Sequence, residues 1–366
     1  MTKNTLNPFK PIFGKTPPIL IGREPMIDEY ISSLDSYLYD DRITTLFVGQ
    51  RGMGKTVVLN EVSKRAVAKG WVSVDVSMSE NLLANAYDRL RIEAGVHLSA
   101  QKSKLTGVTL NIMGFGAGVS TDTHQEDFST MTKIGLIVEE LSKKGVGVLF
   151  TIDEARSKSE ALREFASNYQ LLLRKDLKVG CAIAGLPFEI SGLINDEVLT
   201  FLRRANRVVL SQVDIDDVAI AYIKVFNENG ESLPFDVARV AAEKTQGYPY
   251  LIQLLGSVLW DTSGNGRITE QEVVFAAEAA RRKMYQNVVE PMAADLTRKE
   301  TEFVTAMAEL DQPSAVSDIA DAMGLKQTDV AQYRKQLIDK YFVYSPARGR
   351  LDFVLPYSKE YLLEKP

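Results

Sequence analysis

The spacing of apolar residues changes character at two places along the chain. Before Asp214, short β-branched runs at Ile43–Val48, Trp71–Ser77, Val146–Ile152, Val179–Ala184 and Val208–Leu210 alternate with longer stretches. Those stretches, Met26–Leu38, Thr56–Lys69, Asn81–Ala94, Met131–Lys144 and Glu160–Leu173, repeat their apolar positions at helical spacing. Strands apolar on both faces, separated by helices, predict a parallel α/β sheet. From Asp214 the strand signals stop, and helical patterns run Asp217–Phe226, Phe235–Lys244, Pro249–Trp260 and Thr269–Tyr285. Around Pro291 a further boundary appears. Thr297 and Glu300 have the spacing of a capping box, each side chain able to satisfy a free N–H of the other's turn. Three short helices follow, Ser317–Gly324 and Lys326–Lys340 among them, and then a strand, a Pro346–Gly349 turn and a second strand. The pattern thus predicts a core over 1–212, a helical lid over 213–290 and a winged helix-turn-helix over 291–366.

Two stretches stand outside this scheme. Residues 1–18 hold Pro8, Pro11, Pro17 and Pro18 and read as an extended lead-in. Over residues 105–121, Val108, Leu110 and Ile112 alternate and Gly114, Gly116 and Gly118 follow, which predicts a β-hairpin inserted at the surface of the core.

The chemistry starts at the first strand. Residues 49–56 read Gly-Gln-Arg-Gly-Met-Gly-Lys-Thr, a complete G-x-x-x-x-G-K-[ST] loop between an apolar run and a helix. Gly49, Gly52 and Gly54 let the backbone turn tightly, so that successive N–H groups from Arg51 through Val57 face phosphate oxygens. The positive end of the following helix adds its field. Lys55 would reach the β- and γ-phosphates, and the Thr56 hydroxyl would hold Mg²⁺. The run Val148–Ile152 then ends in Asp153 and Glu154, which places two acids at the carboxyl edge of the sheet, where open α/β sheets bind ligands. Asp153 suits Mg²⁺, and Glu154 suits the orientation of an attacking water.

Composition narrows the partners. The 366 residues are 45% hydrophobic, enough for a large core, and carry a formal charge of −5. Any nucleic-acid contact therefore uses a local patch. One cysteine, Cys181, excludes an intrachain disulfide and suits a reducing compartment, and His97 and His124 lack neighbours at zinc-ligand spacing. No apolar run approaches the ~20 residues of a membrane span. The expectation is a soluble, cytoplasmic protein without a signal peptide.

With these residues in view, the chain resembles the AAA+ ATPases of the origin-recognition-like and archaeal-type group. The resemblance rests on Gly22-Arg23-Glu24 ahead of the sheet, the loop at 49–56, Asp153-Glu154, the helical lid and the C-terminal winged helix. It implies a P-loop NTPase sheet of order 5-1-4-3-2, ATP or ADP with Mg²⁺ as ligands, and adenine held by Ile21 and Gly22 against lid residues. It also implies that Arg204, beside Arg203 just before the last strand, reaches a neighbouring subunit's nucleotide in a homo-oligomer; a solvated basic helix end is the alternative. Two departures matter. The lid has Gly247-Tyr248-Pro249 where many AAA+ proteins place a basic residue; that turn is similar to the Gly-x-Pro of STAND signalling ATPases, whose proline contacts the base. Gly185 stands where many relatives carry a polar γ-phosphate sensor. Both imply slow hydrolysis and long-lived bound nucleotide.

Residues 295–366 carry a net charge of −2, but 326–350 carry +4. Gln327, Thr328, Gln332 and Arg334 are candidates for base edges of double-stranded DNA, and Lys335, Arg348 and Arg350 for phosphates. A winged helix used for protein contact is the open alternative, as in a STAND-like regulatory switch. Finally, Asp261–Glu272 has the oxygen-ligand offsets of a calcium loop, but only its first and last residues supply charge, and a helix–helix turn with Thr269 as cap is the expected reading.

Overall fold

A computed structural model describes residues 6–12, 17, 20–99, 128–263 and 266–364. The expected hairpin at 105–121 lies outside the described residues. The chain divides into two compact units, one holding residues 23–49 and 54–211, the other residues 1–22, 50–53 and 212–366.

The first unit is built on five parallel strands: β1 (Thr44–Gly49), β2 (Val72–Ser77), β3 (Val148–Ala155), β4 (Val179–Gly185) and β5 (Asn206–Leu210). Their order, β2-β3-β4-β1-β5, is the order the AAA+ resemblance implies. Burial follows position in the sheet. All seven residues of central β4 are buried, whereas edge strand β2 buries only alternate residues. Among the described residues the unit also holds helices α1 (Glu24–Ser33), α2 (Lys55–Ala68), α3 (Leu82–Ser99), α4 (Thr130–Lys143), α5 (Glu160–Arg174) and α6 (Pro187–Ile194). Amphipathic α5 buries Leu162, Phe165, Ala166, Tyr169 and Leu172 at helical spacing. Phe165 meets Phe150 of β3 edge-on at 5.2 Å, and the Tyr169 hydroxyl pairs with Thr44 Oγ1 at 2.8 Å. Cys181, in β4, is fully buried, and burial pushes its thiol up.

The second unit begins with α7 (Ile215–Glu228), α8 (Phe235–Lys244), α9 (Pro249–Thr262) and α10 (Glu270–Met284). Asp214 caps α7 by accepting from the Asp216 amide at 2.8 Å. The Tyr222 hydroxyl donates to the Ile252 carbonyl at 2.6 Å, tying α7 to α9. The lead-in belongs to this unit. Phe9 is 4% exposed, and a side chain at Gly256 would lie 2.5 Å from its ring. Asn7 Nδ2 donates to Ser257 Oγ and to Asp261 Oδ1, at 3.0 and 2.9 Å.

A π-helical turn, Tyr285–Val289, leads to α11 (Glu290–Ala294) and α12 (Arg298–Ala308). The predicted capping box at Thr297 and Glu300 is present. Then come β6 (Ser314–Ala315), α13 (Val316–Ala322), α14 (Gln327–Asp339), β7 (Val343–Tyr344), β8 (Arg350–Phe353) and α15 (Ser358–Glu364). The strands form an antiparallel sheet of order β6-β8-β7. Buried Glu300 receives Lys340 Nζ at 2.7 Å, which joins α12 to the end of α14.

Candidate nucleotide site

In the sheet unit, β1 delivers Gly49 and α2 opens at Lys55, with Gly54 left-handed at φ 83° as the residue before the helix. Only a residue without Cβ turns there at no steric cost. Lys55 Nζ donates to the Gly49 carbonyl at 2.9 Å, so the ammonium folds back over the start of the loop. Thr56 Oγ1 donates to Asp153 Oδ2 at 2.5 Å. The two predicted metal-holding side chains, 97 positions apart in sequence, are thus brought together. A hydroxyl and a carboxylate are hard oxygen donors, the kind Mg²⁺ takes alongside phosphate and water, so the pair fits that ion.

Glu154 is exposed and left-handed, at φ 57°. A non-glycine residue in that region costs on the order of 1–3 kcal/mol, and such strain gathers at functional sites. Here the β3–β4 register breaks between Ile152 and Ala155, and the Glu154 amide donates to Asp153 Oδ1 at 2.8 Å. The break lets two successive acids project from the sheet edge.

Glycine at position 185 has a packing cause. A Cβ there would lie 2.8 Å from Ile190 Cδ1 of α6 and 3.4 Å from the Ala155 carbonyl oxygen. Sequence reasoning missed α6 and its Glu189, whose Oε2 accepts from the Ser157 amide at 2.6 Å and the Ser157 hydroxyl at 2.7 Å. The last strand is preceded by a 3-10 turn, Thr200–Arg204, with both arginines exposed; Arg203 Nε donates to the Ile194 carbonyl at 3.2 Å.

The second unit contains the residues predicted to hold adenine. Gly247, at φ 66°, would carry a Cβ 2.2 Å from the Val213 carbonyl oxygen, and Val213 N donates to the Gly247 carbonyl at 2.8 Å. A Cβ at Gly22 would lie 2.7 Å from Val213 Cγ1. Val213 therefore sits between the lead-in and the lid turn, and glycine is needed on both sides. Half-buried Ile21 precedes this contact and half-buried Pro249 opens α9. Tyr248 is 1% exposed, with its hydroxyl against Gly52 of the loop tip. Burial pushes its phenol up, and Arg51 nearby opposes that shift. Met53, also at the tip, is buried.

On α14, Gln327, Thr328, Gln332 and Lys335 are exposed, as are Arg348 and Arg350. Arg350 Nη1 is engaged by the Pro313 carbonyl at 2.8 Å. Arg334 is less exposed than these neighbours. It falls on the stripe of buried Val330 and Leu337, half-buried itself, with Nε out of solvent and lacking an acceptor among the described residues. At the two ends of the calcium-like run, whose residues 264–265 lie outside the described ones, the acids have protein partners. Glu272 closes a capping box with Thr269, whose amide and hydroxyl it accepts at 2.8 Å each, and Asp261 is held by Asn7. Among the described residues no three His, Cys, Asp or Glu side chains gather as a metal site, and no helix is long and apolar enough to cross a membrane.

Comparison with known proteins gives three findings. A family model described as a domain of unknown function (DUF8462) matches residues 286–362. No curated protein matches the sequence. Among solved structures, the chain is similar to a Walker-type ATPase of Pyrococcus abyssi, at 16% identity and TM-score 0.62, over 94% of this chain and 96% of that one. It is also similar to the ORC2 protein of Aeropyrum pernix in ADPNP–ADP complexes, at 13% identity and TM-score 0.56, over 97% and 95%. At these identities the likeness establishes the fold: a parallel five-stranded sheet in the AAA+ order, followed by helices.

Proposed function

We propose that the chain is an AAA+ ATPase of the origin-recognition-like group that binds ATP or ADP with Mg²⁺, hydrolyses ATP slowly, and controls double-stranded DNA binding through a C-terminal winged helix. The observation that carries the nucleotide reading is the 2.5 Å contact of Thr56 with Asp153, beside Lys55 and Glu154. In this reading the loop amides and Lys55 grip the β- and γ-phosphates, and Thr56 and Asp153 hold the metal. The chemistry such an ion supplies is neutralisation of charge on the phosphate oxygens. Glu154 orients the attacking water, and Ile21, Gly22, Tyr248 and Pro249 enclose the base. Arg204 acts in trans within an oligomer. Slow turnover is supported by Gly185 in the sensor position and by a lid turn without a basic residue.

The DNA reading is supported by the exposed Gln327, Thr328, Gln332, Lys335 and Arg348 on α14 and the β7–β8 hairpin. A second reading, a STAND-like regulatory switch whose winged helix binds protein, is favoured by the Gly247-Tyr248-Pro249 lid turn and the acidic balance of 295–366. Calorimetry of nucleotide-stripped protein with Mg·ATP tests the first part; no measurable affinity overturns it. Anisotropy with duplex DNA at low salt, with and without ATP, tests the second. DNA binding that survives Lys335→Glu with Arg348→Glu overturns the assigned contacts. Nucleotide-dependent sedimentation without any DNA effect selects the switch.

A further inference from the structure

Helix α6 does more than pack on Gly185. Its first turn and middle pack directly on the segment that follows the acid pair. Ile190 lies against Gly185, whose Cβ position is 3.4 Å from the Ala155 carbonyl. Gly192 would carry a Cβ 2.5 Å from Ser157 Cβ, so its missing side chain lets the helix reach Ser157. At that contact a single carboxylate oxygen of Glu189 takes both donors of Ser157, the amide at 2.6 Å and the hydroxyl at 2.7 Å. Hydrogen bonds to an ionised acceptor are about twice as strong as neutral ones, and Glu189 is half-buried.

The main chain around Glu154 is therefore held from two sides. Upstream, Asp153 is fixed by Thr56 and accepts the Glu154 amide. Downstream, Ser157 is fixed by Glu189. Between these anchors stands one left-handed residue at a register break, which would relax toward ordinary strand geometry if either anchor were lost. We infer that Glu189, through Ser157, is a positioning residue that sets the direction of the Glu154 carboxylate. The inference rests on the ATPase reading above. A polar group on the α6 side thus serves the reaction by aiming its base, in a site whose sensor position is apolar.

The test is a cycle of Mg·ATP turnover rates in the full chain. Glu189→Ala should lower kcat about tenfold, the scale of a small misplacement of a catalytic group, while the Kd for Mg·ATP stays within about twofold. Glu189→Gln, whose amide oxygen still accepts both donors, should keep kcat within about threefold. In a Glu154→Gln background, Glu189→Ala should cause no further loss, because the group it aims is already gone. Should Glu189→Ala fail to fold, Ser157→Ala, which keeps the amide donor, is read in the same cycle with a smaller loss expected. Unchanged kcat in Glu189→Ala, or losses that multiply in the Glu154→Gln background, overturn the positioning role. Wild-type turnover that is absent, or that persists in Lys55→Ala, instead overturns the ATPase reading itself.

Discussion

The hydroxyl of Tyr248 occupies the position that a side chain on Gly52 would take: a Cβ at residue 52 would lie 1.7 Å from that oxygen. Gly52 also has φ 78°, so alanine there faces two separate penalties. The left-handed backbone costs about 1–2 kcal/mol, and overpacking against a buried ring costs about 1–3 kcal/mol. Gly52→Ala should therefore lower the unfolding midpoint and weaken Mg·ATP binding at least about tenfold, read by thermal unfolding and calorimetry. Tyr248→Phe in the same chain should restore little, because the ring carbon Cζ is itself only 2.4 Å from the same point.

Glu154→Gln should leave nucleotide affinity within about twofold and lower kcat by about 10²–10⁴, the usual contribution of a positioned base. Equilibrium binding and single-turnover hydrolysis on one preparation separate the two effects. A variant that turns over at the native rate removes Glu154 from its assigned role.

Arg204→Ala tests assembly. If the exposed guanidinium completes a neighbour's site, wild-type turnover per chain rises with protein concentration, and the variant is slow and concentration-independent. Identical, flat profiles for both proteins would exclude action in trans.

Glu300 gives a pH prediction. Burial by itself would raise its carboxyl, but Lys340 and the Thr297 amide and hydroxyl outweigh it and hold the group below the ordinary value of 4.5. A depressed acid contributes stability that is present above the unfolded value and lost as pH falls through the folded one. The residues 295–364 should thus lose stability below about pH 4.5. Glu300→Gln should flatten that loss and cost about 1–3 kcal/mol near neutrality, by denaturant unfolding at several pH values.

Much of this architecture was legible because it is local. The G-x-x-x-x-G-K-[ST] loop, the acids ending an apolar run and the Thr297–Glu300 box are each decided within a few residues, and α8 spans the predicted Phe235–Lys244. What sequence missed depends on distant partners. Helix α6 has eight residues with a glycine inside, and only proline at its first turn signalled it. Two-residue β6 exists through pairing with β8. The Glu189–Ser157 contact joins positions 32 apart with no periodic signature. Arg334 is a different case: its spacing to Val330 and Leu337 places it beside the buried stripe, where a long side chain is half-buried and can still carry its charge outward.

Phe9 has a bearing on how the molecule can be handled. Its ring lies 5.7 Å from Tyr222 and 5.5 Å from Phe226, in the notch opened by Gly256. Trimming the chain past that ring would leave an aromatic-sized void, worth about 3–5 kcal/mol, among helices more than two hundred positions downstream. A free-standing helical fragment would therefore gain stability from a separate peptide that carries Asn7 and Phe9 back into that notch.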